Sequence, residues 1–330
     1  MPGFKRHLAV VLGCLWCAAA LVAQAQDGGL DSAKAAFAKG DYGKAVEILQ
    51  GAGSKSSNNG EAYLWLVKSY LELKQYDNAI SSGEKAVAID PKNAVYHQWL
   101  GEAYGAKADH SSMLSAYSWA RKTQKEFETA VQLDAHNFDA AQDLIEYDCT
   151  APSIVGGGDD KAQAQIGKLM QMNAAEGHYG QAVCKAQKKD YPGADAEFTK
   201  SLESKPPTAN RVYDIGDYFL QRSQADPLLV VAAQGEALAP QDPRGNYYRA
   251  CALILKGEKL SDAEKLLRDY LQTAPVYSEY PAPWQAHYWL GRLYEAQKNT
   301  AAAKKEYDIT LKANPKYKPA QDALKRLSGS

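Results

Sequence analysis

A chain of 330 residues carrying 38 basic and 39 acidic side chains has a formal net charge of −1, which excludes the broad basic footprint that nucleic-acid binding requires. Five cysteines are too few for a disulfide scaffold, and past residue 25 no segment is apolar enough to cross a membrane. With hydrophobic residues at 45%, the chain can bury a large core in water.

Residues 1–25 read as a secretory signal peptide. Lys5, Arg6 and His7 precede an uncharged apolar run from Leu8 to Ala23, and Ala23-Gln24-Ala25 puts small residues at the cleavage spacing. The run is about 16 residues, short of the roughly 20 that a spanning helix needs. An uncleaved anchor is one alternative. Lipidation at Cys14, within Val11-Leu12-Gly13-Cys14, is another, although Leu12 fits that pattern poorly. Loss of Lys5 and Arg6 with the leader takes 38 basic residues to 36 against 39 acidic, a mature net charge near −3. The expectation is an exported protein, periplasmic or secreted, with no membrane span in its mature chain.

From residue 26 the chain repeats itself. Tyr63, Trp65, Leu66 and Tyr70 recur 34 residues later as His97, Trp99, Leu100 and Tyr104; Tyr42 and Ala45 recur as Tyr76 and Ala79, and Pro206 as Pro240. The unit from Gly60 to Asn93 shows why. Tyr63, Leu66, Val67 and Tyr70 form the apolar stripe of a first helix. Lys74-Gln75-Tyr76-Asp77 turns the chain. A second helix follows with small residues Ala79, Gly83 and Ala86, and Asp90-Pro91 stops it. An aromatic, Leu, Tyr, Ala, Ala, Pro order at Tyr63, Leu66, Tyr70, Ala79, Ala86 and Pro91 resembles the tetratricopeptide repeat, with Val67 in place of the usual glycine. The resemblance implies an all-α, right-handed superhelical solenoid of about eight helix-turn-helix repeats, whose first helices line a concave face.

The remaining units are of uneven quality. An N-terminal unit closes on Gly40-Asp41-Tyr42 and Ala45. The third begins at Trp99-Leu100-Gly101 and reaches Phe127 and Ala130 about ten residues late, so Ala106 to Arg121 holds an insertion or lengthened helices. A fourth runs from Asp139 through Leu144 to Ala162 and Ile166; the fifth carries Ala182, Asp190-Tyr191, Ala194 and Phe198. The sixth, with Leu228 where alanine belongs, is a hinge or a divergent helix pair. Tyr247, Ala263, Leu267 and Tyr270 make the seventh; Trp289-Leu290-Gly291, Tyr294, Ala303 and Tyr307 make the eighth. Tyr317 to Leu327 caps the stack. The divisions are thus 1–25, 26–135, 136–206 with a glycine-rich loop at 151–162, and 207–330.

Catalytic and metal-binding patterns are weak. Gly156-Gly157-Gly158 lacks the following Lys-Ser/Thr pair and the preceding strand of a phosphate loop. Asp159 and Asp160 are expected to cap the helix after it, and a partner-contacting loop is the other reading. The Ala-Pro-x-Ile-Val-Gly-Gly-Gly segment at 151–158 resembles one in a subset of exported bacterial tetratricopeptide proteins. His97 and His287 occupy an aromatic repeat position and read as packing residues; His178 with Cys184 is no ligand set. Cys149, Cys184 and Cys251 read as small core residues, with a Cys149–Cys184 disulfide between successive first helices as the alternative. No catalytic residue, cofactor or metal is expected, and the chain is not read as an enzyme.

Trp65, Trp99 and Trp289 share one repeat position on first helices, either as binding anchors or as packing between neighbours. Lys68, Glu102 and Arg292 are candidate polar contacts beside them. Some relatives hold a peptide carboxylate with Lys and Asn on these helices, a combination absent here at Leu64, Lys68, Gln98 and Glu102. The function expected is a non-catalytic scaffold binding a protein or peptide segment on the concave surface in the cell envelope. The alternative is a structural subunit of an envelope assembly or polysaccharide-export machine.

Overall fold

The computed structural model describes residues 29–53 and 59–329. The expected signal peptide at 1–25, Cys14 included, lies outside them. Helices are the regular elements here, and no strand occurs among the described residues. The chain divides into two compact units between Ala140 and Ala141. The first holds α1 (residues 29–38), α2 (Tyr42–Gly53), α3 (Gly60–Glu72), α4 (Tyr76–Ile89), α5 (Ala94–Asp109) and α6 (Met113–Leu133). Helix α7 (Phe138–Thr150) starts at the boundary. The second unit continues with α8 (Asp159–Met172), α9 (Ala174–Gln187), α10 (Tyr191–Glu203), α11 (Ala209–Gln221) and α12 (Ala225–Leu238). It ends with α13 (Arg244–Lys256), α14 (Leu260–Thr273), α15 (Pro283–Ala296), α16 (Thr300–Ala313) and α17 (Lys318–Ser328). Odd-numbered helices through α15 are the first helices of the repeats, even-numbered ones the second. Within each unit first helices also meet the next first helix, as α3 meets α5 and α13 meets α15.

Local chemistry sets the boundaries of these pairs. Asparagine caps first helices at the repeat spacing: Asn59 accepts from the Ala62 N–H at 3.0 Å, and Asn93 from Val95 and Tyr96 at 3.1 and 3.3 Å. Whereas α5 closes on His110 at φ −109°, six of the eight first helices end in the same left-handed residue, at Gly40 and Lys74 in one unit and at Lys189, Ser223, Gly257 and Lys298 in the other. The N–H after it reaches back to the carbonyl five residues earlier, as Gln75 does to Tyr70 at 2.8 Å and Asn299 to Tyr294 at 2.8 Å. That bond satisfies an end carbonyl and reverses the chain. The same turn at the same position is what makes the period.

Small residues set how closely the helices approach. A Cβ on Gly101 would lie 2.6 Å from the Phe127 ring, and one on Gly291 2.5 Å from the Tyr307 ring. The first unit's core collects Leu66, Val67, Tyr70, Ile80, Leu100 and Tyr104. In the second, Tyr213, Phe219, Leu228, Tyr247, Tyr270 and Tyr307 are all but completely buried. Leu228, out of pattern in the sequence, is simply core. Lengthened helices account for the late third repeat: α5 runs 16 residues and α6 runs 21.

Two expectations are corrected at the 151–162 loop. Asp159 and Asp160 do not cap α8; Gly158 is its N-cap, and the two aspartates lie in the first turn, where they complement the helix dipole. The Gly158 N–H is spent on the Asp148 carbonyl at 2.9 Å, and a Cβ on Gly157 would stand 2.1 Å from the Ala151 carbonyl oxygen. The glycines therefore let the loop fold tightly onto the end of α7. Cys149 and Cys184 are not separate core residues but a disulfide joining α7 to α9, with Cα atoms 5.5 Å apart. Cys251 alone is a free, buried thiol among the described residues.

Candidate functional site

In the first unit the candidate residues converge. Trp65 and Lys68 on α3 and Trp99 on α5 are half-buried, and Lys68 Nζ lies 5.0 Å from the Trp65 ring centroid and 4.3 Å from that of Trp99. The ammonium thus bridges two indoles one repeat apart, a cation–π arrangement that fixes both rings. Trp65 also meets the Phe37 ring edge-on at 5.3 Å and Lys34 Nζ at 5.6 Å, with Lys34 ion-paired to Glu61 at 2.7 Å. Glu102 stands half-buried on α5, one turn past Trp99. The two indoles both pack between neighbouring first helices and keep part of their surface open.

The second unit places its candidates in a cavity. About 440 Å³ of space lies among α11, α13, α15, the start of α17 and the connection before α15. Trp289 and Arg292 line it, but Trp289 is only 5% exposed, so it is a wall of the site and not a projecting anchor. The Arg292 guanidinium carbon sits 4.8 Å from the Trp289 ring, and Arg292 makes no ion pair among the described residues. Deeper in, the Tyr247 hydroxyl is buried without a hydrogen-bond partner among the described residues. Its polar neighbour is the buried Cys251 thiol, whose pKa burial pushes well up. Asp217 completes the lining; burial raises its pKa against the hydrogen bond that the Tyr248 hydroxyl donates at 2.7 Å.

The proline-rich connection forms the remaining wall and is held down at two points. Tyr270 donates its hydroxyl to the Pro281 carbonyl at 2.6 Å. Arg244 donates to the Glu279 carbonyl at 3.2 Å while its guanidinium lies 4.5 Å from the Tyr213 ring and 4.4 Å from the Tyr280 ring. Arg244 is itself neutralised by Asp242 at 2.6 Å. A fixed arginine thus braces the wall and an unneutralised one faces the space. Such a site suits an elongated ligand with an acidic or hydrogen-bonding group and flat apolar surface.

A recurring pair escaped the sequence reading. His178 Nδ1 donates to Glu197 at 2.8 Å, His287 to Glu306 at 2.7 Å and His97 to Glu126 at 2.6 Å, each from a first helix to the second helix of its pair. His178 is therefore bonded to Glu197 and not matched with Cys184. The signal was present: glutamate follows histidine by 19 residues twice, and by 29 in the lengthened pair. These pairs tie helix to helix and are far apart along the chain. Among the described residues no group of three His, Cys, Asp or Glu side chains is placed to hold a metal ion, and no helix is long and apolar enough to cross a membrane.

Comparison with known proteins follows the same lines. Two tetratricopeptide-repeat models match the chain, at residues 36–98 and 255–318. A thermophilic tetratricopeptide-repeat protein of Thermus thermophilus is 17% identical, with 69% of this chain and 99% of that one covered and a TM-score of 0.45. One from Parabacteroides merdae is 14% identical, covering 92% and 99% at a TM-score of 0.41. YrrB, described as having an unusual peptide-binding site, is 16% identical, covering 75% and 100% at a TM-score of 0.36. No curated protein sequence matches. With its 34-residue period, its paired helices and a repeat model matched in each unit, the chain carries tetratricopeptide repeats in both units.

Proposed function

We propose that this protein is a non-catalytic scaffold of the cell envelope that binds a protein or peptide segment against its first helices. One observation carries the reading. The cavity of the second unit presents the Arg292 guanidinium, which makes no ion pair among the described residues, beside Trp289 on a single surface built from first helices. Groups of this kind are left unsatisfied where a ligand completes them. Trp65, Lys68 and Trp99 supply a second contact area in the first unit, with Glu102 beside it. Export is supported by residues 1–25 and by the Cys149–Cys184 disulfide, since such bonds persist in oxidising compartments.

The test is an affinity capture from envelope extract with the chain from Gln26, read by mass spectrometry, beside Arg292→Gln and Trp65→Ala/Trp99→Ala variants. A dominant partner lost from a variant that keeps its helical circular dichroism supports the proposal. A partner retained by both variants moves the interface off the first helices. That result would favour the machine-subunit reading, for which Ile154, 70% exposed on the loop beside the disulfide, offers a contact point.

A further inference from the structure

The hairpin formed by α5 and α6 is built unlike the other pairs. Second helices otherwise run 12 to 14 residues, whereas α6 runs 21, and the extra length carries its start past the neighbouring pair. The His110 ring still meets the Tyr76 ring at 4.6 Å, and Lys107 pairs with Asp77 at 2.8 Å. Beyond those contacts Met113 and Leu114 open α6 with 90% and 91% of their surface exposed, the highest values of any large hydrophobic residue described. Adjacent apolar side chains held in water this completely gain nothing from the fold.

What surrounds them is ordered. Tyr117, one turn further, is 39% exposed. Arg121 follows on the same line of the helix and donates to the Tyr117 hydroxyl at 3.3 Å. Lys122 lies 4.5 Å from the Trp119 ring, and Arg121, Lys122 and Lys125 are all exposed. Between Lys107 and Lys125 the chain has four basic residues and one acidic residue, Asp109. Along α6 the order is thus an apolar apex, an aromatic band and a basic collar. The same order is met on passing from acyl chains through the interface to anionic headgroups.

We propose that the α5–α6 tip docks this protein reversibly on an anionic phospholipid bilayer. Met113 and Leu114 enter the acyl boundary, Tyr117 lies at the interface, and Arg121, Lys122 and Lys125 meet the phosphates. A groove on a protein partner would match the apolar apex, but the exposed collar of Arg121, Lys122 and Lys125, with the following Glu126 turned onto His97, is complementary to an anionic surface. Burial of each apolar side chain contributes about tenfold or more to partitioning, and each cation about fivefold.

The experiment is co-sedimentation of the chain from Gln26, which retains every described residue and omits the leader, with vesicles of mixed phosphatidylglycerol and phosphatidylcholine. Vesicles of phosphatidylcholine alone run in parallel. Binding to the mixed vesicles is expected, about 100-fold or more weaker for Met113→Ser/Leu114→Ser and about 25-fold weaker for Arg121→Gln/Lys125→Gln. High salt should weaken the wild type more than the second variant. These positions are exposed, so circular dichroism should be unchanged in both. Absence of wild-type binding, or undiminished binding by Met113→Ser/Leu114→Ser, overturns the proposal. So does loss of a cross-linked protein partner from that variant while vesicle binding is unaffected.

Discussion

Replacing Gly291 with alanine tests whether close helix approach sets the repeat. The new Cβ would lie 2.5, 2.7 and 2.9 Å from the Cε1, Cδ1 and Cζ atoms of Tyr307. Ordinary contact begins near 3.4 Å, so the ring must retreat by roughly 1 Å in a close-packed interior. Tyr307 has no exposed surface, and its hydroxyl donates to Glu295, so retreat disturbs packing and hydrogen bond together. Overpacking of this kind costs about 1–3 kcal/mol, and the better helix propensity of alanine returns about 1 kcal/mol. A net loss of about 0–2 kcal/mol is expected, against a gain at a site with no such contact. Gly167, in the middle of α8 with nothing within 4 Å of its added Cβ, is the control; Gly167→Ala should stabilise by about 1 kcal/mol. Urea denaturation followed by tryptophan fluorescence, to which Trp284 and Trp289 contribute beside the mutation, reads the difference. Equal stability of the two variants would refute the argument that Gly291 is there to admit the Tyr307 ring.

Three further outcomes are expected. Cys149→Ser/Cys184→Ser should lose about 3–4 kcal/mol, the loop-closure value for a bridge of sequence separation 35, and thermal melting should then no longer respond to reductant. Burial raises the Glu197 carboxyl pKa, but hydrogen bonds from His178, Lys200 and Lys185 outweigh it and hold the group below its ordinary 4.5. Its stabilisation is therefore full above that value and is lost as pH falls through the lower folded-state value. The stability gap to Glu197→Gln, about 1–3 kcal/mol near neutrality, should close in acid urea titrations; a gap independent of pH would contradict the assignment. At the left-handed turns, Gly257→Ala (φ 67°, no atom within 4 Å of the new Cβ) should destabilise by about 1 kcal/mol through the backbone alone. Lys74→Gly (φ 57°) should shift the melting temperature the other way.

The helix pairs were legible because their causes are local. The stripe at Tyr63, Leu66, Val67 and Tyr70, the Asn59 and Asn93 caps, and the turns at Gly40 and Lys74 act over four or five residues, and recur because the same interactions recur. The late third repeat was readable for the same reason, as a count of residues between helix signals. Less of the site was legible. The shared position of Trp65, Trp99 and Trp289 could be found by spacing, yet one position yields two half-buried rings around Lys68 and one buried wall.

By itself, then, the sequence determined the all-α class, the period, the turns and the set of first helices. Only the tertiary structure decided that Cys149 meets Cys184, that each first-helix histidine reaches a glutamate on its partner helix, and that Asp217, Tyr247, Tyr280 and Arg292 enclose one space. The physical reason is range. A helix or a turn is settled by neighbours within a few residues, whereas a cavity is settled by the separation of side chains on four elements, which depends on how closely each glycine and alanine lets those elements stack.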